Sequence, residues 1–178
     1  MRPETLAIRT QTERTGEKEH STPLFLTSSF VYDSAEDMAA AFSDDSLDVN
    51  IYSRFSNPSV DEFIKKVCLM EGAEDGIATA SGMAAVNACF MTFLSAGDHV
   101  ISAAAVFGST HAILTKYLPK WGIEYSYFDM NKPESIEALV KSNTKLLYVE
   151  TPSNPGLDII DMEMVAAICK KHNIIFVV

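Results

Sequence analysis

The chain has 178 residues, 47% of them apolar, and a mean hydropathy of +0.07, which suits one packed domain and excludes a disordered chain. With 14 basic against 24 acidic residues, the net charge is −10 and the pI near 4.8, which argues against nucleic acid or an anionic membrane as partner. Cys68, Cys89 and Cys169 are odd in number and lie in apolar helical patterns, so they read as reduced core cysteines of a cytoplasmic protein. The start, Met1 to Thr5, lacks the apolar run of a signal peptide, and no apolar stretch reaches membrane-spanning length. His20, His99, His111 and His172 are scattered, so no metal site is expected.

Residues 1–58 show little regular pattern: a polar run from Arg9 to His20, then a short β-rich piece from Pro23 to Val31. Ser34 can cap a short helix through Phe42, with Asp37 in the capping-box position. An acidic loop follows over Ser43–Asn50. So long an irregular arm points to function or to contact with another chain. It ends in Tyr52-Ser53-Arg54-Phe55-Ser56-Asn57-Pro58, after which Ser59 can cap a helix over Val60–Met70. On an extended segment Tyr52 and Arg54 share one side, and a guanidinium fork beside a phenol suits an anion. A surface Arg next to a half-buried Tyr explains the same pair.

From Asp75 the chain alternates strands with helices. The expected order is strand Gly76–Ala80, helix Gly82–Leu94, strand His99–Ala103, helix Ser109–Trp121, strand Glu124–Asp129 and helix Pro133–Lys141. Strand Lys145–Glu150, helix Met162–His172 and strand Ile174–Val178 complete it. Such alternation predicts a parallel, helix-covered sheet, with residues 59–178 as the front part of a large α/β domain. Ligands of such sheets bind beyond the carboxyl ends of the strands.

Three stretches fall at that edge. Ser81-Gly82-Met83 opens a helix whose free N–H groups and dipole favour a phosphate. Phe107 and the residues after it follow the second strand, and Glu150-Thr151-Pro152-Ser153-Asn154-Pro155-Gly156 follows the fourth. An anion cradle, an aromatic face and an amide-bearing loop would together fit a flat, anionic, heteroaromatic ligand. Singly, each has a plainer account: a tight turn, a core Phe, a well-made loop. The chain stops on the buried-type strand Ile174–Val178, from which we expect it to be the front part of something longer.

The motifs Pro23–Phe30, Tyr52–Pro58, Ala80–Ala85, Phe107–Thr110 and Glu150–Pro155, in this order, resemble the N-terminal part of the Cys/Met-metabolism family of pyridoxal 5'-phosphate (PLP) enzymes. That family includes cystathionine γ-synthase, cystathionine and methionine γ-lyases and O-acyl-homoserine sulfhydrylases. The resemblance implies an aspartate-aminotransferase-like (type I) fold, a three-layer α/β/α arrangement around a mainly parallel sheet, incomplete at its C-terminal end. It implies that Ser81, Gly82 and Met83 hold the cofactor phosphate, that Phe107 stacks on its ring, and that Asn154 sits by the ring hydroxyl with Glu150 in support.

Tyr52 and Arg54 would reach the phosphate of a neighbouring subunit's site, making a dimer the smallest active unit and a homotetramer the expected assembly. Most relatives carry Tyr where this chain has Phe107, and Phe there resembles O-succinylhomoserine sulfhydrylases. The implied reaction is γ-replacement on an O-acyl-homoserine by sulfide to give homocysteine. The γ-lyases and cystathionine γ-synthase share these motifs and stay open as alternatives. The family's Schiff-base Lys and its Asp to the pyridine nitrogen would lie beyond Val178, so 1–178 alone is expected to be inactive. A non-catalytic phosphate-binding α/β module or an inactive fragment would explain the sheet and Ser81-Gly82, but not Tyr52–Arg54 or Phe107.

Overall fold

In the computed structural model, residues 2–44 and 49–178 are described. They divide into two compact units, residues 1–78 and 79–178. The helix expected to open the α/β part therefore groups with the arm instead.

In residues 79–178, four parallel strands form one sheet in the order β2-β1-β3-β4: β1 is His99–Ala103, β2 Glu124–Phe128, β3 Thr144–Tyr148 and β4 Ile175–Val177. All of β1 is buried, as suits a central strand covered on both faces. Phe90, Ile101, Leu114, Leu118, Leu146, Leu147 and Val165 are fully buried around it, so side chains from strands and flanking helices make one core. Helix Met162–His172 takes the expected bounds, because Asp161 caps Met164 N–H and Asn173 ends the helix in the left-handed conformation. The Cys169 thiol is pushed up to about 11 by burial, which makes it an inert core thiol.

Three expectations for the alternating part need correcting. The helix expected over Pro133–Lys141 is a 3-10 turn, Pro133–Ser135, followed by a short α-helix, Ile136–Leu139, and Val140 is already extended. Gly76–Ala80 is not a strand: Ile77 is 91% exposed, and no strand among the described residues offers those backbone groups a ladder. The helix from 109 to 121 is composite: an α-turn Gly108–Ala112, a π-turn Ile113–Tyr117 and a 3-10 turn Leu118–Trp121. Pro119 has no N–H to continue the α ladder, and Leu118 N–H reaches back to Ile113 C=O.

In residues 2–78, helix α1 (Pro3–Arg9), unforeseen in the sequence, packs on helix α3 (Pro58–Glu71). Helix α2 (Ala35–Ser43) forms as expected, Ser34 Oγ accepting from Asp37 N–H and donating to its carboxylate. Residues 45–48 of the expected acidic loop lie outside the described residues.

The 58–71 helix is capped by Asn57 and not by Ser59, since Pro58 takes the first helical position and moves the start back. The β-rich piece makes a single bridge, Ser29 to Tyr52, and no strand. Buried Glu62 fastens the arm to this helix. It accepts from Thr12 N–H at 2.9 Å and from the Thr22 hydroxyl, and pairs with Lys66 at 2.6 Å.

Candidate functional site

The strand order reverses at β1 and β3, since the chain leaving β1 turns toward β2 and the chain leaving β3 turns toward β4. The two loops depart in opposite directions at the carboxyl ends, the place where such sheets bind ligands. Helix α4, Gly82–Phe93, returns along the sheet to the amino end of β1 through residues 94–98. Its Phe90 ring packs on Tyr148, the last residue of β3, with centroids 5.2 Å apart. The N-terminus of α4 therefore extends past the carboxyl end of the sheet.

At that N-terminus Ser81 is extended and caps Ala84 N–H at 3.1 Å. The N–H groups of Gly82 and Met83 have no protein acceptor among the described residues. Nothing stands within 4 Å of where a Cβ on Gly82 would lie. Two free N–H groups, a hydroxyl and the positive end of a 12-residue helix fit a phosphate.

Phe107 precedes the turn Gly108–Ala112 and is 45% exposed as a residue, so it is available to a ligand and is not a core residue. Its N–H donates to Glu150 Oε2 at 2.8 Å. Glu150 Oε1 accepts from the Thr110 hydroxyl at 2.9 Å and the Tyr148 hydroxyl at 3.0 Å. Burial, and after it the Glu150 carboxylate, pushes the Tyr148 phenol up, so it stays a donor.

Asn154 is exposed on a loop between Pro152 and Pro155, both preceded by cis peptides. Ser153, 1% exposed, holds that loop: its N–H donates to Asp158 C=O and its hydroxyl to the Asp158 carboxylate, both at 2.9 Å. Gly156 lets the loop close, because a Cβ there would meet Asp158 Oδ2 at 2.6 Å.

The structure thus joins Phe107 and Glu150 directly, and it places Ser81, Gly82 and Met83 at the start of a helix packed on Tyr148. Tyr52 and Arg54 lie in the other unit. There Asn57, Ser53 and Ser59 hydrogen-bond to the backbone of residues 25–28 and hold the segment in place. Residues 52–55 form a turn and not the extended segment expected, with Phe55 N–H donating to Tyr52 C=O at 2.8 Å. The turn still brings the exposed Arg54 guanidinium over the Tyr52 ring, at 4.6 Å, and near Phe55 at 5.0 Å. Thr110 and Tyr148 were not singled out in the sequence. Strand alternation does put Tyr148 and Glu150 on one side, and that signal was available.

A parallel α/β sheet with an open helix N-terminus and an exposed Phe107 near its switch point matches a known class. The chain belongs to the Cys/Met metabolism PLP-dependent enzymes, whose family model matches residues 4–178. It is 44% identical over 165 residues to an O-succinylhomoserine sulfhydrylase of Pseudomonas aeruginosa, covering 93% of this chain and 41% of that protein. It is 36% identical over 152 residues to an L-methionine γ-lyase of Porphyromonas gingivalis, covering 85% and 38%.

Among solved structures, it matches a protein of Campylobacter jejuni assigned as an O-acetylhomoserine (thiol)-lyase and carrying a pyridoxyl-lysine phosphate. That match has a TM-score of 0.91 and 33% identity, and it covers 99% of this chain and 43% of the other. The fold is accordingly that of the type I PLP enzymes. The chain spans about two-fifths of the length of the relatives it matches.

Proposed function

We propose that the protein containing this chain is a PLP enzyme of sulfur amino acid metabolism acting at the γ-carbon of an O-acyl-homoserine. Sulfide forms a C–S bond at that carbon, the C–O bond breaks, and the acyl group leaves as its carboxylate, giving homocysteine. The observation that carries this reading is the pairing at one sheet edge of a free helix N-terminus with the exposed ring of Phe107. The similarity to an O-succinylhomoserine sulfhydrylase favours O-succinyl- or O-acetyl-homoserine as substrate.

When bound, PLP supplies an electron sink that lets the α-proton of an amino acid leave. This chain's residues then bind and orient. Ser81, with the Gly82 and Met83 N–H groups, holds the phosphate. Phe107 gives one ring face, Asn154 a hydrogen bond to the ring hydroxyl, and Glu150 supports them. Tyr52 and Arg54 serve the phosphate of a neighbouring subunit's site, so the enzyme is at least a dimer and assembles as a tetramer. Glu62 and Asn57 prepare that segment by fixing the arm around it. The Schiff-base Lys and the Asp for the pyridine nitrogen would belong to the part of such an enzyme that this chain, spanning about two-fifths of its relatives, does not cover. The enzyme works in the cytoplasm.

The test uses the full-length protein. A yellow cofactor band lost on borohydride, with sulfide-dependent homocysteine formed from O-succinyl- or O-acetyl-homoserine, supports the proposal. Ammonia released from methionine or cystathionine without homocysteine would favour the γ-lyase reading, which the methionine γ-lyase similarity keeps open. No band at all would return the chain to a phosphate-binding module.

A further inference from the structure

We infer that Glu150 is a positioning residue, whose carboxylate accepts from the Phe107 N–H and the Thr110 and Tyr148 hydroxyls and thereby fixes the face Phe107 turns to the cofactor. The inference rests on the reading of this edge as a PLP site.

Phe107 is the N-cap of the 108–112 turn, and Phe has no side-chain acceptor for that role. In a capping box, the residue three positions on reaches back to the N-cap N–H with a Glu or Gln. Here that residue is Thr110, too short to do so. Glu150 enters from the loop after β3 and completes the box, one oxygen on the Phe107 N–H and the other on the Thr110 hydroxyl. All three partners donate here, and a carboxylate has acceptor sites for all of them.

The clamp also reaches α4. Tyr148, the third donor, packs on Phe90 of the helix whose N-terminus carries the free N–H groups. Thr110 is fully buried, so water does not compete for its hydroxyl. One group thus ties the aromatic face to the helix that holds the phosphate, without itself having to touch the cofactor.

The test compares full-length wild type with Glu150→Ala and Glu150→Gln. Three quantities are read: amide exchange at Phe107 in the cofactor-free protein, the PLP dissociation constant, and the visible circular dichroism of bound cofactor at saturation. Glu150→Ala should speed exchange and weaken cofactor binding by about tenfold or more each, as expected for losing a hydrogen bond to a charged group. It should also lower the dichroism even at saturation.

Glu150→Gln should recover most of all three, since its carbonyl can keep the Phe107 N–H while the two hydroxyls turn to accept from its amide. Wild-type exchange and dichroism in Glu150→Ala would overturn the inference. If that variant does not fold, Thr110→Val and Tyr148→Phe each remove one donor and should give partial losses. Wild-type values in both would overturn it equally. A wild type that shows no visible band defeats the site reading and this inference with it, whereas a wild-type band with unaltered variants defeats the clamp alone.

Discussion

Around the sheet of residues 79–178, Phe90, Ile101, Leu146 and Leu147 are fully buried, and apolar contact holds the elements together. In residues 2–78, Asn57 and Glu62 are among the few buried groups, while Leu24, Leu26, Val31, Phe55 and Phe63 stand exposed. The first region therefore draws its order from burial. The second draws it from a few polar clasps, Glu62 to residues 12 and 22 and Asn57 to residues 25 and 53. Regions of the two kinds should respond differently to substitution and to acid.

The largest effect should come from the sheet. Leu147→Ala empties a fully buried site and should cost about 2–5 kcal/mol, read from the denaturant midpoint. A loss below ~1 kcal/mol would show that burial is not what holds this region.

Next is Glu62→Ala, with a cost of about 1–3 kcal/mol and faster tryptic cleavage at Arg14 and Lys18. Unchanged cleavage would mean that the clasp does not hold the arm. Burial pushes the Glu62 carboxyl up, but hydrogen bonds from Lys66, Thr22 and the Thr12 amide outweigh it and bring it down to about 2. Its stabilisation is thus complete above about pH 4.5 and disappears as the pH falls through 2, and Glu62→Gln should flatten that acid limb.

The smallest effect belongs to His99, buried at the amino end of β1 between the Thr144 hydroxyl at 2.8 Å and the Ser126 hydroxyl at 2.9 Å. Burial, then nearby Lys141, lowers its affinity for a proton below the ordinary value of 6.5, against a weaker pull from Glu124. The unfolded chain binds that proton more readily, so stability should be full above about pH 6.5 and decline below it. The slope for one proton is at most about 1.4 kcal/mol per pH unit. An equal slope in His99→Gln would assign the effect elsewhere.

The same contrast explains what could be read from sequence. Strand His99–Ala103 and helix Met162–His172 were legible because burial and capping leave a pattern in the residues that carry them. Gly76–Ala80 has a strand's composition, but strand formation depends on a partner that composition does not encode. The 109–121 helix looked uniform because periodicity is insensitive to how one proline redistributes hydrogen bonds between π and 3-10 turns.

At the candidate site, Phe107 and Glu150 were visible as residues following strands, and Ser81-Gly82 as the opening of a helix, although the strand expected before it does not form. That Glu150 bonds to the Phe107 N–H crosses 43 positions and is a fact of topology. The Glu62 clasp was hidden for the same reason, its partners Thr12 and Thr22 lying 50 and 40 residues away.

The central claim, that the free N–H groups opening α4 hold the phosphate, is tested most directly by Gly82→Pro in the full-length protein. Proline suits the first helical position, Ser81 before it is already extended, and a Cβ at 82 meets nothing within 4 Å. The substitution deletes one N–H and leaves the helix intact, while Gly82→Ala keeps the N–H and adds only the methyl group. The account predicts that Gly82→Pro binds PLP at least about tenfold more weakly than Gly82→Ala at equal stability. Equal affinities of the two variants would contradict it.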